Sequence, residues 1–554
     1  MYFFKEDFCK MKKMRRYIAL AISLVMILAL VAACGPAAPA PDTPPPVTPT
    51  PPTPPTPGER PTDDLDTAPE EGVQLADYID IILDNSFIAV ANPFLPAGNT
   101  GPSQWLYTLI YDRLIEEITP GEYGPMLARD WVTEDYQTFR FYLRDDVRFH
   151  NGDQFTAEDV AGTIRIAQEH TGSIGHDRWR IVSEYNIIDP FTIELTLANI
   201  HIDFLFDISS PPAGIIHEAA FRADPEEGPW IGTGPFRIVE FSTNDFTTVE
   251  RFDDYWGDAP PTQRLTLRFV PEVAARLVMM QNRESHLSFG TSPEDLSILQ
   301  ADPDFQVIPI IFNVPNTVSF NMSDPLMADP NFRRAVFHAL NLEEIAVAAA
   351  GDWAVAPIDG NFWGFATPYR LTTIPRWEYN LDLARQYLEA SPYNGETIEI
   401  AAAITTNIRA AELIQFQLGR IGLVTELNTM DMASIISHVA HGNNQSQMHV
   451  FNLSFTLSPY GSAWNVFSPV SGSNRTSFDD PFVTDLIDRA RVEPDAAIRR
   501  ALMEELQEYV AADPPFINLF WRLNAVAAVN GVSGVRLGYD SLRFNLRGVY
   551  RVID

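Results

Sequence analysis

Thr138-Phe-Arg-Phe-Tyr-Leu-Arg-Asp-Asp-Val-Arg-Phe-His-Asn-Gly152, continued by Phe155-Thr-Ala-Glu-Asp-Val160, holds three local instructions in a row. Residues 138–143 alternate apolar and polar side chains, as a strand does when one sheet face is buried. Gly152 permits a tight turn that residues with a Cβ resist. Thr156 is placed to cap a helix, with Asp159 three positions on to complete the cap. Strand, turn and capped helix within so short a stretch imply an α/β scaffold, and these residues are scaffold rather than chemistry.

The same mixture extends outward in both directions. Residues 78–83 (YIDIIL), 186–197 and 247–252 read as further strands. Residues 104–118 have helical periodicity, and 333–350, 381–390, 410–421 and 496–511 form amphipathic helices. The chain has 554 residues, 46% of them hydrophobic, ample for more than one lobe.

Upstream, the composition changes twice. Lys10, Lys12, Lys13, Arg15 and Arg16 precede an apolar run, 17–31, that suits a signal sequence and is short for a membrane span. The run ends in Leu30-Val31-Ala32-Ala33-Cys34, which resembles a bacterial lipobox. That resemblance implies cleavage before Cys34 and a lipid on its thiol. Residues 35–61 are dense in proline and threonine and cannot bury a core, so 34–72 is expected to be a stiff, disordered tether.

Charge and cysteine usage exclude several classes. The formal net charge is −34, and every lysine lies before Cys34. So acidic a chain repels nucleic acid. A mature chain without lysine has no Schiff-base or phosphate-loop lysine. The only cysteines are Cys9 and Cys34, so the mature chain has no disulfide framework and no thiol nucleophile. Gly232-Thr-Gly-Pro235 lacks the following helix that a phosphate loop needs, and reads as a turn where the chain changes lobes. No G-x-S-x-G, H-E-x-x-H or C-x-x-C occurs, so the chain is not expected to be an enzyme, and it calls for no cofactor.

Four stretches taken in order are similar to the family 5 extracellular solute-binding proteins, the peptide- and nickel-type receptors of ABC importers. The first is Met126-Leu-Ala-Arg-Asp-Trp131 with the 139–160 segment. The second is Gly232-Thr-Gly-Pro-Phe236 with Asp254-Tyr-Trp-Gly257. The third is Ser319-Phe-Asn321 with residues 331–340. The last is residues 500–510 with 513–520. The resemblance implies a two-lobed, periplasmic-binding-protein-like fold with a hinge. By it the first lobe is 73–312, with an inserted subdomain at about 113–230. The second lobe is 313–515, and 516–554 returns to the first. It further implies a monomer that binds a small solute, delivers it to the permease's transmembrane subunits and meets the membrane through its lipid anchor.

Clefts of this kind are mostly apolar with a few placed polar groups. Asn361, Phe362 and Trp363 in a glycine-punctuated aromatic loop, and Phe451, Asn452, Tyr460 and Trp464 in a second such segment, are the candidate solute contacts. In the first lobe they are Phe94, Asn99 and Gln104. Peptide-binding relatives carry an Asp in the segment matching 451–464 that pairs with the peptide's ammonium group. This chain has only Asn452, Ser454, Thr456 and Ser458 there. Either another acid anchors a peptide, or the solute lacks a free amine, as an oligosaccharide does. His438 and His441 are spaced for one helix face, with His449 beyond, but no close carboxylate other than Asp431 completes a metal site, so no site metal is called for and a metal- or nickel-complex binder is a lesser alternative. A secreted hydrolase using two carboxylates is the remaining enzymatic alternative.

The anchor is directly testable. Cys34→Ser removes the thiol that carries the lipid, so the variant is expected to leave the membrane fraction or stall unprocessed. Equal membrane fractionation and equal lipid labelling of variant and wild type would refute the lipobox.

Overall fold

The computed structural model describes residues 68–553 apart from 71, 84–90, 96–99, 120, 243–244, 290, 365–366, 368, 441, 443, 454–457 and 537–543. Cys34, the tether, Asn99 and His441 therefore lie outside the described residues.

One large sheet runs through the molecule. Its order is Val424–Thr429, Thr397–Ala402, Met448–Asn452, Phe305–Phe320, Phe516–Val529, Leu287–Phe289, Tyr78–Leu83, Arg264–Phe269, Phe246–Arg251 and Phe236–Ser242, with Ala354–Val355 paired beside Phe516–Val529. The two central strands are much longer than the rest and antiparallel to each other. Their outer ends serve different neighbours. Residues 287–289 pair with 526–528 on one side, and residues 316–320 pair with 448–452 on the other. The register between the long strands shifts between Ile311 and Pro315, opposite Trp521–Leu523.

Each half has its own core. Ile79, Ile81, Leu265, Leu267 and Leu287 pack with the helix Gly101–Ile110 and a smaller four-stranded sheet, Ala128–Val132, Thr138–Leu143, Thr192–Leu197 and Val182–Asp189. In the other half Val318, Phe320, Ile398, Ile400 and Val450 pack beneath the helices Pro330–Ala339, Leu342–Ala350 and Thr405–Gly419. The opposite face there is covered by a third core built on Phe362, Trp363, Phe467, Leu486 and Leu506.

Most local expectations find physical counterparts. Phe139, Phe141 and Leu143 are fully buried, with Arg140 outward. Gly152 has φ +90°. Thr156 accepts from the backbone of Glu158 while Asp159 accepts from the backbone of Thr156, closing a capping box. Others differ. Residues 333–350 form two helices, because the Asn341 side chain caps the second by accepting from the Glu344 amide, and the Asn341 backbone N–H donates to Oε1 of Gln417. Residues 186–197 form a hairpin, turned at Asp189, whose carboxylate accepts from the Phe191 amide. Helix Gly101–Ile110 ends early, and Ile115–Thr119 is a strand.

The glycine turn also has a different place. It returns the chain from the smaller sheet to the main sheet strand Phe236–Ser242 rather than crossing between lobes. Together with Asp254-Tyr-Trp-Gly257 it closes on one buried carboxylate. Asp112, fully buried, receives Thr233 at 3.2 Å, Tyr255 at 3.3 Å, Trp256 at 2.8 Å and the guanidinium of Arg547 at 2.8 Å. Several donors are what a buried charge requires. A Cβ on Gly232 would collide with the Ile110 carbonyl, whereas one on Gly472 meets nothing. Gly232→Ala is therefore expected to cost about 1–3 kcal/mol in urea denaturation, and Gly472→Ala close to nothing. Equal losses would show that the close approach is not what requires glycine.

Candidate functional site

The smaller sheet and its short helices face the second half across a cavity of about 460 Å³. One wall comes from the helix Ile174–Trp179 and the segment 201–207. The other comes from the helices Pro459–Phe467 and Pro481–Val492.

On the first wall, the amide of His201 donates to the Tyr136 carbonyl at 3.0 Å, tying the segment to the small sheet. Phe204 is fully buried beneath it. Asp207 is then gripped twice, by Arg178 at 3.1 Å and by Nε2 of His201 at 2.9 Å. Asp203 is different. Among the described residues no cation lies within ion-pair distance of it, and its partner is the Ser458 hydroxyl from the opposite wall. Burial pushes its carboxyl up to about 6, only partly offset by that hydroxyl, with the neighbouring Asp207 adding to the rise.

On the second wall, Ser458 caps the helix Pro459–Phe467 by accepting from the Gly461 amide at 2.9 Å, so the cap residue is also the bridge to Asp203. Trp464, on the same helix, lines the cavity. The Arg491 guanidinium stands 5.8 Å from the centre of its ring, with no carboxylate within ion-pair distance among the described residues. The contact between the walls continues beyond the cavity. Ile202 packs against the second-half core, and Arg499 lies 5.3 Å from the Tyr136 ring. Tyr123, from the hairpin strand Glu122–Pro125, has its phenol held up by burial first, then by Asp203, Asp207, Tyr369 and Tyr460.

The residues singled out in the sequence fall in several environments. Trp464 lines the cavity, and Tyr460, Phe362 and Trp363 lie in the core behind it. Trp363 is fully buried. Asn361 is an internal brace, donating to Gln507 at 2.7 Å and to the Leu371 carbonyl at 2.8 Å. Phe451 packs with Ala401, Ile435 and Val439, under the Arg475 guanidinium at 4.4 Å. Asn452 accepts from Asn407 at 2.9 Å. Gln104 is buried in the first-half helix, and Phe94 packs at 6.1 Å on Phe221. His438 pairs with Glu399 at 3.2 Å, and burial lowers His449 to about 3. Among the described residues no three His, Cys, Asp or Glu side chains gather as a metal site, and no helix is long and apolar enough to cross a membrane. The sequence reading did not single out Asp203, Asp207, Arg178 or Arg491. Nothing in His201-Ile-Asp-Phe204 marks it as a site, because its partner Ser458 is 255 positions away.

Known proteins place the chain further. Residues 122–478 match the family model described as bacterial extracellular solute-binding proteins, family 5 middle. A glutathione-binding protein, GsiB of Pectobacterium atrosepticum, is 23% identical over 407 residues, which is 70% of this chain and 78% of that protein. The periplasmic binding protein DppA from Helicobacter pylori, in complex with the peptide STSA, superimposes with a TM-score of 0.68 at 20% identity, covering 86% of this chain and 99% of that one. NikZ from Campylobacter jejuni, in complex with Ni(L-His), gives 0.69 at 18% identity, covering 85% and 99%.

Asp203 also makes the contact between the walls sensitive to pH. Its carboxyl sits at about 6 when docked, against an ordinary value of 3.8. The docked form thus holds the proton more tightly. The stability Asp203 contributes is full below about pH 4 and is lost as pH rises through about 6. In the ligand-free chain, Asp203→Asn should therefore raise the melting temperature at pH 7 and change it little at pH 4.5. A gap independent of pH would show that Asp203 does not titrate there.

Proposed function

The chain belongs to the bacterial extracellular solute-binding proteins of family 5, solute receptors of ABC importers rather than enzymes, and from that premise we propose that its solute is a short peptide with a free amino terminus. The observation that carries this reading is the pairing of one enclosed acid, Asp203, with one arginine, Arg491, on opposite walls of a single cavity, neither within ion-pair distance of an opposite charge among the described residues. A zwitterion supplies both missing charges. Asp203 reaches Ser458, within the segment where peptide-binding relatives carry their own acid, so the anchor comes from across the cleft. The DppA structure with its bound peptide and the glutathione-binding relative are in keeping with such a solute.

The receptor acts by closing. We place the hinge where the two long strands shift register, residues 311–315 against 521–523. The lobes are 73–312 with 516–554, and 313–515, with the subdomain at about 113–230, and this hinge leaves the first residues of the returning segment, 516–520, with the second lobe. Solute contacts made with both walls at once favour the closed state. The mature chain begins at Cys34, is lipid-anchored, stands off the membrane on residues 34–72 and works as a monomer. Trp464 beside Asn465 and Ser458 favours a second reading, an oligosaccharide stacked on the indole.

Native mass spectrometry of residues 35–554 with an oligopeptide pool and a malto-oligosaccharide pool separates the two. Peptide capture is expected. Acetylating the captured peptide, or Asp203→Asn, should each cost about 2–5 kcal/mol of affinity, with little further loss when combined. Trp464→Ala should cost about 1–3 kcal/mol. Retention of oligosaccharides alone would replace the peptide reading.

A further inference from the structure

Beyond the cavity the two halves meet again at a cation that its own half leaves without a counter-charge. Arg499 lies in the first turn of the helix Ala496–Ala512 and turns its guanidinium back to donate to the carbonyls of Glu493 at 2.9 Å and Pro494 at 2.7 Å. It is buried, and among the described residues no carboxylate lies within ion-pair distance of it. The amino end of a helix also opposes a positive charge. What faces the guanidinium from the other side is the ring of Tyr136, in the first half, 5.3 Å away.

Tyr136 is held there against its backbone preference. Its φ is +54°, in the left-handed region where a side chain with a Cβ is strained. The turn fixes it in place: its amide donates to the Thr133 hydroxyl at 3.0 Å, and its carbonyl accepts from the His201 amide at 3.0 Å. On the opposite wall Tyr369 has φ +65°. Its carbonyl accepts from Gln507 at 3.0 Å, and its ring packs on Tyr460 at 6.2 Å. Tyr123 of the first half lies near both Tyr369 and Tyr460. Among the described residues five non-glycine residues have a positive φ, and two of them are these tyrosines, one on each wall. Glycine would relieve either turn. What a tyrosine adds at each is an aromatic face at the contact between the halves. None of Tyr136, Tyr369 and Arg499 lines the cavity, so a solute held in it does not touch them.

We propose that Arg499 and Tyr136, backed by Tyr369 and Tyr460, form a latch that closes the two halves without help from a solute, so that the ligand-free receptor spends part of its time closed. The latch goes beyond the choice of solute and concerns the equilibrium into which any solute binds. Its contribution is the same whatever the cavity holds. Affinity for every solute then rises and falls with the closed fraction, because the closed state is the one in which a solute meets both walls.

The test uses residues 35–554, which contain no cysteine. Ile188→Cys and Val424→Cys, exposed positions in separate halves, carry spin labels, and double electron–electron resonance reads their separation with no solute added. Melting temperatures serve as a folding control. The wild-type latch should populate the separation that matches the structure. Arg499→Met and Tyr136→Leu should each lower the closed-to-open ratio about three-fold or more. Leucine keeps the Cβ, and with it the backbone strain, and removes only the ring. The double variant should lower the ratio little further, as for two partners in one contact, and Tyr136→Phe, which keeps the ring, should stay near wild type. A wild-type latch found only at another separation overturns the proposal and needs no variant to fold. A ratio that the folded single variants leave unchanged, or losses that add in the double variant, assigns closure to other contacts and also overturns it. Because no solute enters the measurement, its failure leaves the peptide reading standing.

Discussion

Two antiparallel strands, Phe305–Phe320 and Phe516–Val529, are the constraint from which the remainder follows. They are the middle of the sheet and the only described strands whose ladder serves both halves. A ladder that ran in perfect register from end to end would make one stiff board. This one shifts between Ile311 and Pro315, so regular pairing is interrupted midway while each end stays locked to its own neighbours. Both halves keep separate cores on either side of the interruption. Rigid halves joined by a short irregular passage are what a hinge requires, since the backbone change is confined to a few residues. Asp203 with Ser458 and Arg499 with Tyr136 are contacts made between the two walls.

The charges of the cavity are sorted by what each wall already satisfies. Asp207 is held by the Arg178 guanidinium and by the His201 ring and is internally settled. Asp203, four positions earlier, has a hydroxyl as its hydrogen-bond partner, and its carboxyl rises because burial outweighs that bond and the attraction of Arg491. Arg491 spends its face on an indole rather than on an acid. The acidic balance of the whole chain says nothing of this, because the charges that matter are those left unmatched inside the contact between the halves.

The scaffold could be read in the sequence wherever the determinant was local. The alternation of Phe139 and Phe141, the positive φ of Gly152 and the Thr156–Asp159 box each act over a few residues and are found as expected. The break at Asn341 was readable too, since Asn followed three places on by Glu344 is a capping pattern, but the apolar periodicity on both sides hid it. The site was far less legible. Trp464 combines aromatic surface with a polar setting and lines the cavity, whereas Trp363 has the same local signature and is core. Nothing within a few residues distinguishes them. Asp203 and Arg491 gain their meaning from partners brought by distant helices, and no short window of sequence contains both members.

Asp112 has a bearing on how the polypeptide is made. Its carboxylate lies at the heart of the first half, yet Arg547, a few positions from the end of the chain, is its sole ion-pair partner among the described residues. Strand Phe516–Val529 is likewise inserted between segments synthesised far earlier. During synthesis the amino-terminal half must wait with an open slot in its sheet and a buried acid held by the neutral donors Thr233, Tyr255 and Trp256 alone. Chains that stop short, or lose their tail to a protease before folding, carry a charge that the core cannot hold. The late closure ties the stability of the first half to its carboxyl-terminal segment: a chain cut before Arg547 is expected to lose the ion pair that holds Asp112 and to be less stable. The same arrangement gives high contact order, so assembly is expected to be slow and to lean on chaperones that tolerate long-lived, partly paired intermediates.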